Sequence, residues 1–273
     1  MAEHAARYKR FQLALAEAGF ASVAHDHRGH GRTTADGSAL GRYALENGHR
    51  LVVDEIQAIH FECEDWLPNV PVITFGHSAG GLMALNFTIS HPSASRALAI
   101  WNSNFSAGLL GRVGQVILSL ERLFLGKRSA SIMTPKLTFD DWNKKFAPNR
   151  TGFDWLSRDE SEVDAYVADP KCGFPASVIM WQDIFQLVYR GANDRNLARL
   201  PKLMPIMILG GAHDPATSNG TASTALAERC EAIGMAHVQL EVLPETRHET
   251  LNEVNRDAAT ALFIEWAEAA LRK

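Results

Sequence analysis

Cysteine is scarce. Cys63, Cys172 and Cys230 are few, scattered and odd in number, so no disulfide framework is indicated, and a reducing, cytoplasmic setting is expected. No apolar run reaches the roughly 18 residues a membrane helix needs, so no spanning segment is expected. Glu3, Arg7, Lys9 and Arg10 break up the N-terminal stretch, which therefore does not read as a signal peptide. Positive charge is not in excess either. A formal net charge of −4 offers no basic face for phosphates and argues against a nucleic-acid partner. Gly29 and Gly31 lack the third glycine and the helix start of a phosphate cradle. His25, His27 and His30 are spaced like zinc ligands, but no cysteine or carboxylate completes the set, and neither metal nor cofactor is expected.

What the chain does have is an ordinary globular balance, 46% hydrophobic and 21% charged, in a length able to bury a large core. Its most informative segment is Gly76-His77-Ser78-Ala79-Gly80. It follows an apolar run over 70–75 and precedes helix-forming residues at 82–86. Strand, glycine-flanked serine and helix make a nucleophile elbow. The turn strains the serine backbone, and small neighbours two positions away let strand and helix pass close together. It also presents the Ser78 hydroxyl at a helix N-terminus, where amides favour developing negative charge.

A serine needs a base, and the base needs an orienting acid. Residues 205–209 read as a buried strand that runs into Gly210-Gly211-Ala212-His213-Asp214-Pro215. Asp214 thus falls beyond a strand's carboxyl end, where sites of open α/β sheets lie. The strand over 238–243 leads to Pro244-Glu245-Thr246-Arg247-His248. Ser78, Asp214 and His248 therefore occur in the chain order of an α/β-hydrolase triad. A plain turn aspartate before Pro215 is the competing reading for Asp214.

Helices are expected over 4–18 and 46–66, with short strands at 20–24 and 97–101. Such alternation means a mostly parallel, doubly wound sheet. It lapses from 104 to 192, which reads as a helical cap inserted into a core of residues 1–103 and 193–273. Leu109, Leu110, Val113, Val116, Ile117, Leu120, Leu123 and Phe124 form one apolar helix face, with Arg112, Glu121, Arg122, Lys127 and Arg128 as the charges nearby. Packing of that face on the core is expected, a lid that touches lipid with its basic flank being the alternative. Trp142, Phe146, Phe153, Trp155, Phe174 and Trp181 enrich the cap in rings and suit an apolar substrate.

These motifs carry a resemblance. Glu3-His4-Ala5-Ala6-Arg7-Tyr8, Asp26-His27-Arg28-Gly29-His30-Gly31-Arg32-Thr33, Gly76-His77-Ser78-Ala79-Gly80-Gly81 and Arg247-His248-Glu249-Thr250-Leu251-Asn252-Glu253 together resemble the monoglyceride lipase and lysophospholipase branch of the α/β-hydrolases, close to the serine-aminopeptidase-like group. The resemblance implies an acyl-enzyme hydrolase of monoacyl-lipid esters with Ser78, Asp214 and His248 as triad. It implies an oxyanion hole from the amides of Ala79 and Met1, no cofactor, and transient contact of the cap with a membrane surface. The His-Gly pair expected ahead of this motif is absent, so a sheet short of its first strands, with an unpaired edge, is the expectation. A free ammonium at Met1 would then weaken the oxyanion hole, and a truncated, non-catalytic lipid binder is an alternative. An aminopeptidase-like hydrolase is another, needing acidic cap residues to hold a substrate ammonium. Asp159, Glu160, Glu162 and Asp164 are its candidates.

Overall fold

The computed structural model describes residues 1–33, 35–106 and 108–272. A 3-10 turn, Ala5–Tyr8, leads into α1 (Lys9–Glu17), which buries Phe11 and Leu15. Gly19 follows at φ 86°, a left-handed C-terminal stop. Next come α2 (Gly48–Trp66), β1 (Ile73–His77), α3 (Ala79–Ser90) and β2 (Ala97–Trp101). Six helices then intervene: α4 (Gly108–Phe124), α5 (Met133–Leu137), α6 (Phe139–Lys144), α7 (Glu160–Ala168), α8 (Val178–Gly191) and α9 (Asp194–Leu197). The alternation resumes with β3 (Ile206–Gly211), α10 (Thr221–Ala232), β4 (Val238–Leu243) and α11 (Arg256–Arg272).

The sheet has the order β1-β2-β3-β4, and every neighbouring pair is parallel. Period-two alternation divides the core between its two faces. Leu98, Ile100, Ile206 and Ile208 join a layer with residues of α2, α3, α8 and α10. Ala97, Ala99, Trp101, Met207 and Leu209 meet Phe11 of α1 and Phe263 and Trp266 of α11. Both faces are therefore covered, as a parallel sheet requires, and the carboxyl ends of the strands open toward the intervening helices.

Two expectations fail. Residues 20–24 form no strand. Among the described residues β1 pairs only with β2. Between its free edge and residues 20–25 lies a cavity of about 350 Å³, roofed by α2 and α3 and floored by α1 and α11. With no neighbour across that gap, the 20–24 segment has no ladder to join, and β-forming side chains alone do not make a strand.

The apolar stripe of α4 does not pack on the core. Leu109, Val116, Leu123 and Phe124 are 76%, 61%, 75% and 78% exposed, and Val113 and Leu120 also face outward. The Leu110 side chain lies outside the described residues. The inward face is instead Gly111, Gly114, Leu118 and Glu121. At Gly114 a Cβ would come 3.1 Å from the Phe185 ring of α8, so the helix backbone itself makes the approach. Glu121 is buried because its carboxylate accepts from the Ile132 and Met133 amides, both 2.8 Å, and from the Ser131 hydroxyl at 2.6 Å. It thus caps the N-terminus of the next helix.

Candidate active site

Ser78 stands between β1 and α3 at φ 54° and ψ −121°, a conformation that costs a non-glycine residue about 1–3 kcal/mol. The turn is held from both sides. The Ser78 amide donates to Trp101 O at 2.8 Å, and the Ser103 hydroxyl donates to Ser78 O at 2.7 Å. The close passage of strand and helix falls on Gly76 and Gly81 rather than on Gly76 and Gly80. A Cβ on Gly76 would lie 2.3 Å from Gly80 O, and one on Gly81 2.0 Å from Ser103 Oγ, whereas one on Gly80 meets nothing within 4 Å.

The three residues singled out from the sequence converge. His248 Nε2 lies 2.9 Å from Ser78 Oγ, and His248 Nδ1 lies 3.0 Å from Asp214 Oδ1. A carboxylate only accepts, so Nδ1–H donates to Asp214 and Nε2 is left to accept from the serine hydroxyl. Asp214 is fully buried, beyond the end of β3, and its remaining lone pairs are engaged. Oδ1 accepts from the Ala216 amide at 2.9 Å, and Oδ2 from Thr217 Oγ1 at 2.9 Å and Asn102 Nδ2 at 3.1 Å. Burial alone would raise its pKa, but the His248 ring and these donors hold the carboxyl below its ordinary range.

Asn102 and Thr217 were not singled out by sequence reasoning. The only signal at Asn102 was its position just past a strand ending in Trp101. Its backbone is left-handed, φ 50°, and its own oxygen accepts from Thr250 Oγ1 at 2.7 Å. It links the acid loop to the histidine loop.

Ser78 and His248 open into a cavity of about 470 Å³. Trp142, Phe153, Trp155, Phe174 and Trp181 line it, together with Leu82, Ile184 and Val188. Phe146 stands elsewhere, under the Arg247 guanidinium at 4.1 Å. Ala79 and Met1 line the same cavity. As the first residue of α3, Ala79 presents an amide that no helical carbonyl can take.

The four acidic residues of the peptidase alternative do not line this cavity. Asp159 caps α7 and pairs with Arg256 at 2.7 Å, Glu162 pairs with Arg10 at 2.7 Å, and Glu160 and Asp164 both face Arg150. Of the sequence histidine cluster, His25 Nε2 and His27 Nδ1 lie 3.1 Å apart, and the His27 and His30 rings meet edge to face at 6.4 Å between centroids. A different trio, His4, Asp169 and Cys172, has donor atoms within 4.8 Å of one another. His4 is occupied by Asp169 at 2.8 Å, and burial pushes the Cys172 thiol up to about 12, so a metal would have to displace both a hydrogen bond and a proton.

Residues 1–255 match the family described as serine aminopeptidase, S33. The chain belongs to that family. Human monoglyceride lipase, similar to this chain, is 25% identical over 262 residues, covering 93% of this chain and 78% of its own length. The monoacylglycerol lipase of Mycolicibacterium smegmatis is 30% identical over 169 residues, 62% of this chain and 52% of that protein. A carboxyl esterase from Bacillus coagulans superposes with a TM-score of 0.88 at 23% identity, covering 99% of this chain and 87% of that one. The fold is that of the α/β-hydrolases, and residues of α5, α6, α7 and α8 line the cavity.

Proposed function

We propose that this chain hydrolyses carboxylic esters of monoacyl lipids through an acyl-enzyme on Ser78. The observation that carries the reading is the buried Asp214–His248–Ser78 relay opening into an aromatic-walled cavity. His248 takes the hydroxyl proton as Ser78 Oγ attacks the ester carbonyl, and Asp214 stabilises the imidazolium that results. The oxyanion forms beside the Ala79 amide, with Met1 as the second position on the cavity wall. His248 then protonates the departing alcohol, and water, activated by the same nitrogen, releases the fatty acid. The similarity to monoglyceride lipases over most of the chain supports a monoacylglycerol as substrate, a lysophospholipid being the other candidate monoacyl ester.

Residues 104–192 act in this reading as a cap over a core of 1–103 and 193–273. The outward stripe of α4, with Arg112, Arg122, Lys127 and Arg128 nearby, suits a helix lying against a lipid surface. No helix of the described residues is long and apolar enough to cross a membrane, so attachment would be peripheral. The peptidase alternative loses its four cap candidates, each of which faces an arginine outside the cavity lining, and the acidic residues on the cavity wall are instead Glu3, Asp140 and Glu249.

The test is steady-state hydrolysis of nitrophenyl esters of increasing chain length, beside monoacylglycerol, lysophosphatidylcholine and an aminoacyl-anilide. kcat/KM should rise with acyl length, the anilide should stay inert, and Ser78→Ala should lose both turnover and fluorophosphonate labelling. Faster cleavage of the anilide, or labelling retained in Ser78→Ala, would overturn the assignment.

A further inference from the structure

A second chain of polar contacts reaches the catalytic histidine from behind, through a residue the triad does not use. His77 closes β1, one position before the nucleophile, and its side chain is 6% exposed. Its Nε2 lies 2.8 Å from the main-chain oxygen of His248, and its Nδ1 lies 3.2 Å from the Tyr8 hydroxyl, which is 2.9 Å from Glu3 Oε1. The protons along this chain can be counted. A carbonyl oxygen and a carboxylate only accept. Tyr8 has one proton, and three contacts need three. A neutral imidazole supplies one more and, whichever nitrogen carries it, leaves one contact with two lone pairs facing each other, at the His248 oxygen, at Tyr8 or at Glu3. An imidazolium supplies two, and every contact is then a hydrogen bond.

Charge leads to the same answer. Arg7 donates to both Glu249 oxygens and to Glu3 at 2.9 Å, within one buried group. Its two carboxylates outnumber its single guanidinium by one negative charge, and His77 Nδ1, 3.7 Å from Glu3 Oε1, is placed to balance it, an unpaired buried charge being costly. The groups facing His77 are Glu3, Arg7 and Tyr8 from the N-terminal turn, and His248 and Glu249 from the loop after β4, with Asp214 behind His248. Met1 stands with Glu3 on the cavity wall. On the other side, burial pushes His27 and His30 down, so they remain neutral.

We propose that His77 is held as an imidazolium between Glu3 and the main chain of His248, and that this positioning residue keeps the catalytic imidazole in its neutral, base-competent form. The two rings are 5.0 Å apart, centroid to centroid. A positive charge at that distance opposes a second proton on His248. Burial would drive His77 toward neutrality, but Glu3 overrides it and the shift is upward. The inference rests on the triad reading for its kinetic consequence, though not for its structural claim.

The experiment has two arms. Nitrogen-15 histidine spectra of the whole protein, with His77 assigned by its loss in His77→Gln, should show both ring nitrogens protonated at pH 7.5. In Glu3→Gln the same ring should be neutral. Separately, the acid limb of kcat/KM for a soluble ester should move up by about one pH unit in His77→Gln, whose amide still donates to the carbonyl. A purely structural loss would lower kcat without moving that limb. A neutral His77 at pH 7.5 in the parent, or an unmoved limb in a folded His77→Gln, overturns the proposal. The spectra need no turnover, so a failure of the triad, seen as activity retained in Ser78→Ala, is recognised separately.

Discussion

The floor and the roof of the catalytic cavity are built on opposite terms. On the floor, each oxygen of Asp214 is engaged, and Asn102 and Thr250 tie its loop to the histidine loop. On the roof, the Trp155 and Trp181 indole N–H groups are buried without a partner, and α4, packed on α8 outside the cavity lining, turns a row of exposed apolar side chains outward. A floor of this kind tolerates little displacement, since loss of one partner strands another buried polar atom. The cavity-facing side of the roof relies on shape and apolar area, which tolerates exchange and gains when an apolar molecule fills it. Chemistry is fixed below, and the choice of acyl group is left to a more permissive wall above.

The largest expected break in that contrast is Asp214→Asn. The amide cannot stabilise an imidazolium and favours the wrong histidine tautomer, so kcat should fall by about 10⁴ while KM changes little. Asp36→Asn, away from the floor, should leave turnover near the parent value. Steady-state kinetics on one short ester decide it, and an Asp214→Asn enzyme within tenfold of the parent would mean that another group orients His248.

Next comes a pair of glycines only one position apart. Gly81→Ala drives a Cβ to 2.0 Å from Ser103 Oγ, the group that donates to Ser78 O. Overpacking of this kind costs about 1–3 kcal/mol, and here it also disturbs the nucleophile turn, so stability and turnover should drop together. Gly80→Ala meets open space in a helix and should raise stability by about 0.4–1 kcal/mol. Denaturant midpoints of the two variants give the comparison. Equal effects would show that the elbow is more plastic than its contacts indicate.

Those glycines also mark how far the sequence could be read. Ser78, Asp214 and His248 were legible because each follows a strand with a clear apolar run, in the chain order of an α/β-hydrolase triad. Asn102 and Thr217 were not, because what singles them out is a contact with Asp214 across 112 and 3 residues that leaves no local pattern. Gly80 and Gly81 look alike in the sequence, and only the position of Ser103 separates them. The expected strand at 20–24 failed because strand formation depends on a neighbour, here across a gap beside β1. The α4 stripe was read correctly as amphipathic but turned the wrong way. Gly111, Gly114 and the helix-capping Glu121 took the inner side, a choice made by α8 and by residues 131–133 rather than by hydrophobicity.

The smallest effect should come from the roof, and only under one condition. Leu123 and Phe124 are 75% and 78% exposed, so Leu123→Ser with Phe124→Ser should leave the melting temperature and the hydrolysis of a dissolved short ester unchanged. If α4 lies on a lipid surface, each side chain contributes about 1.5–3 kcal/mol by leaving water. The double variant should then lose about a hundredfold or more in partition to phosphatidylcholine vesicles, together with activity on monoacylglycerol carried in them. Partition measured by vesicle co-sedimentation, beside soluble-ester kinetics, separates the two sides of the molecule. If the double variant binds vesicles as well as the parent, the outer stripe of α4 is not the lipid contact. If it also loses activity on the dissolved ester, the outer stripe supports the floor, and the division between a fixed floor and a permissive roof is drawn in the wrong place.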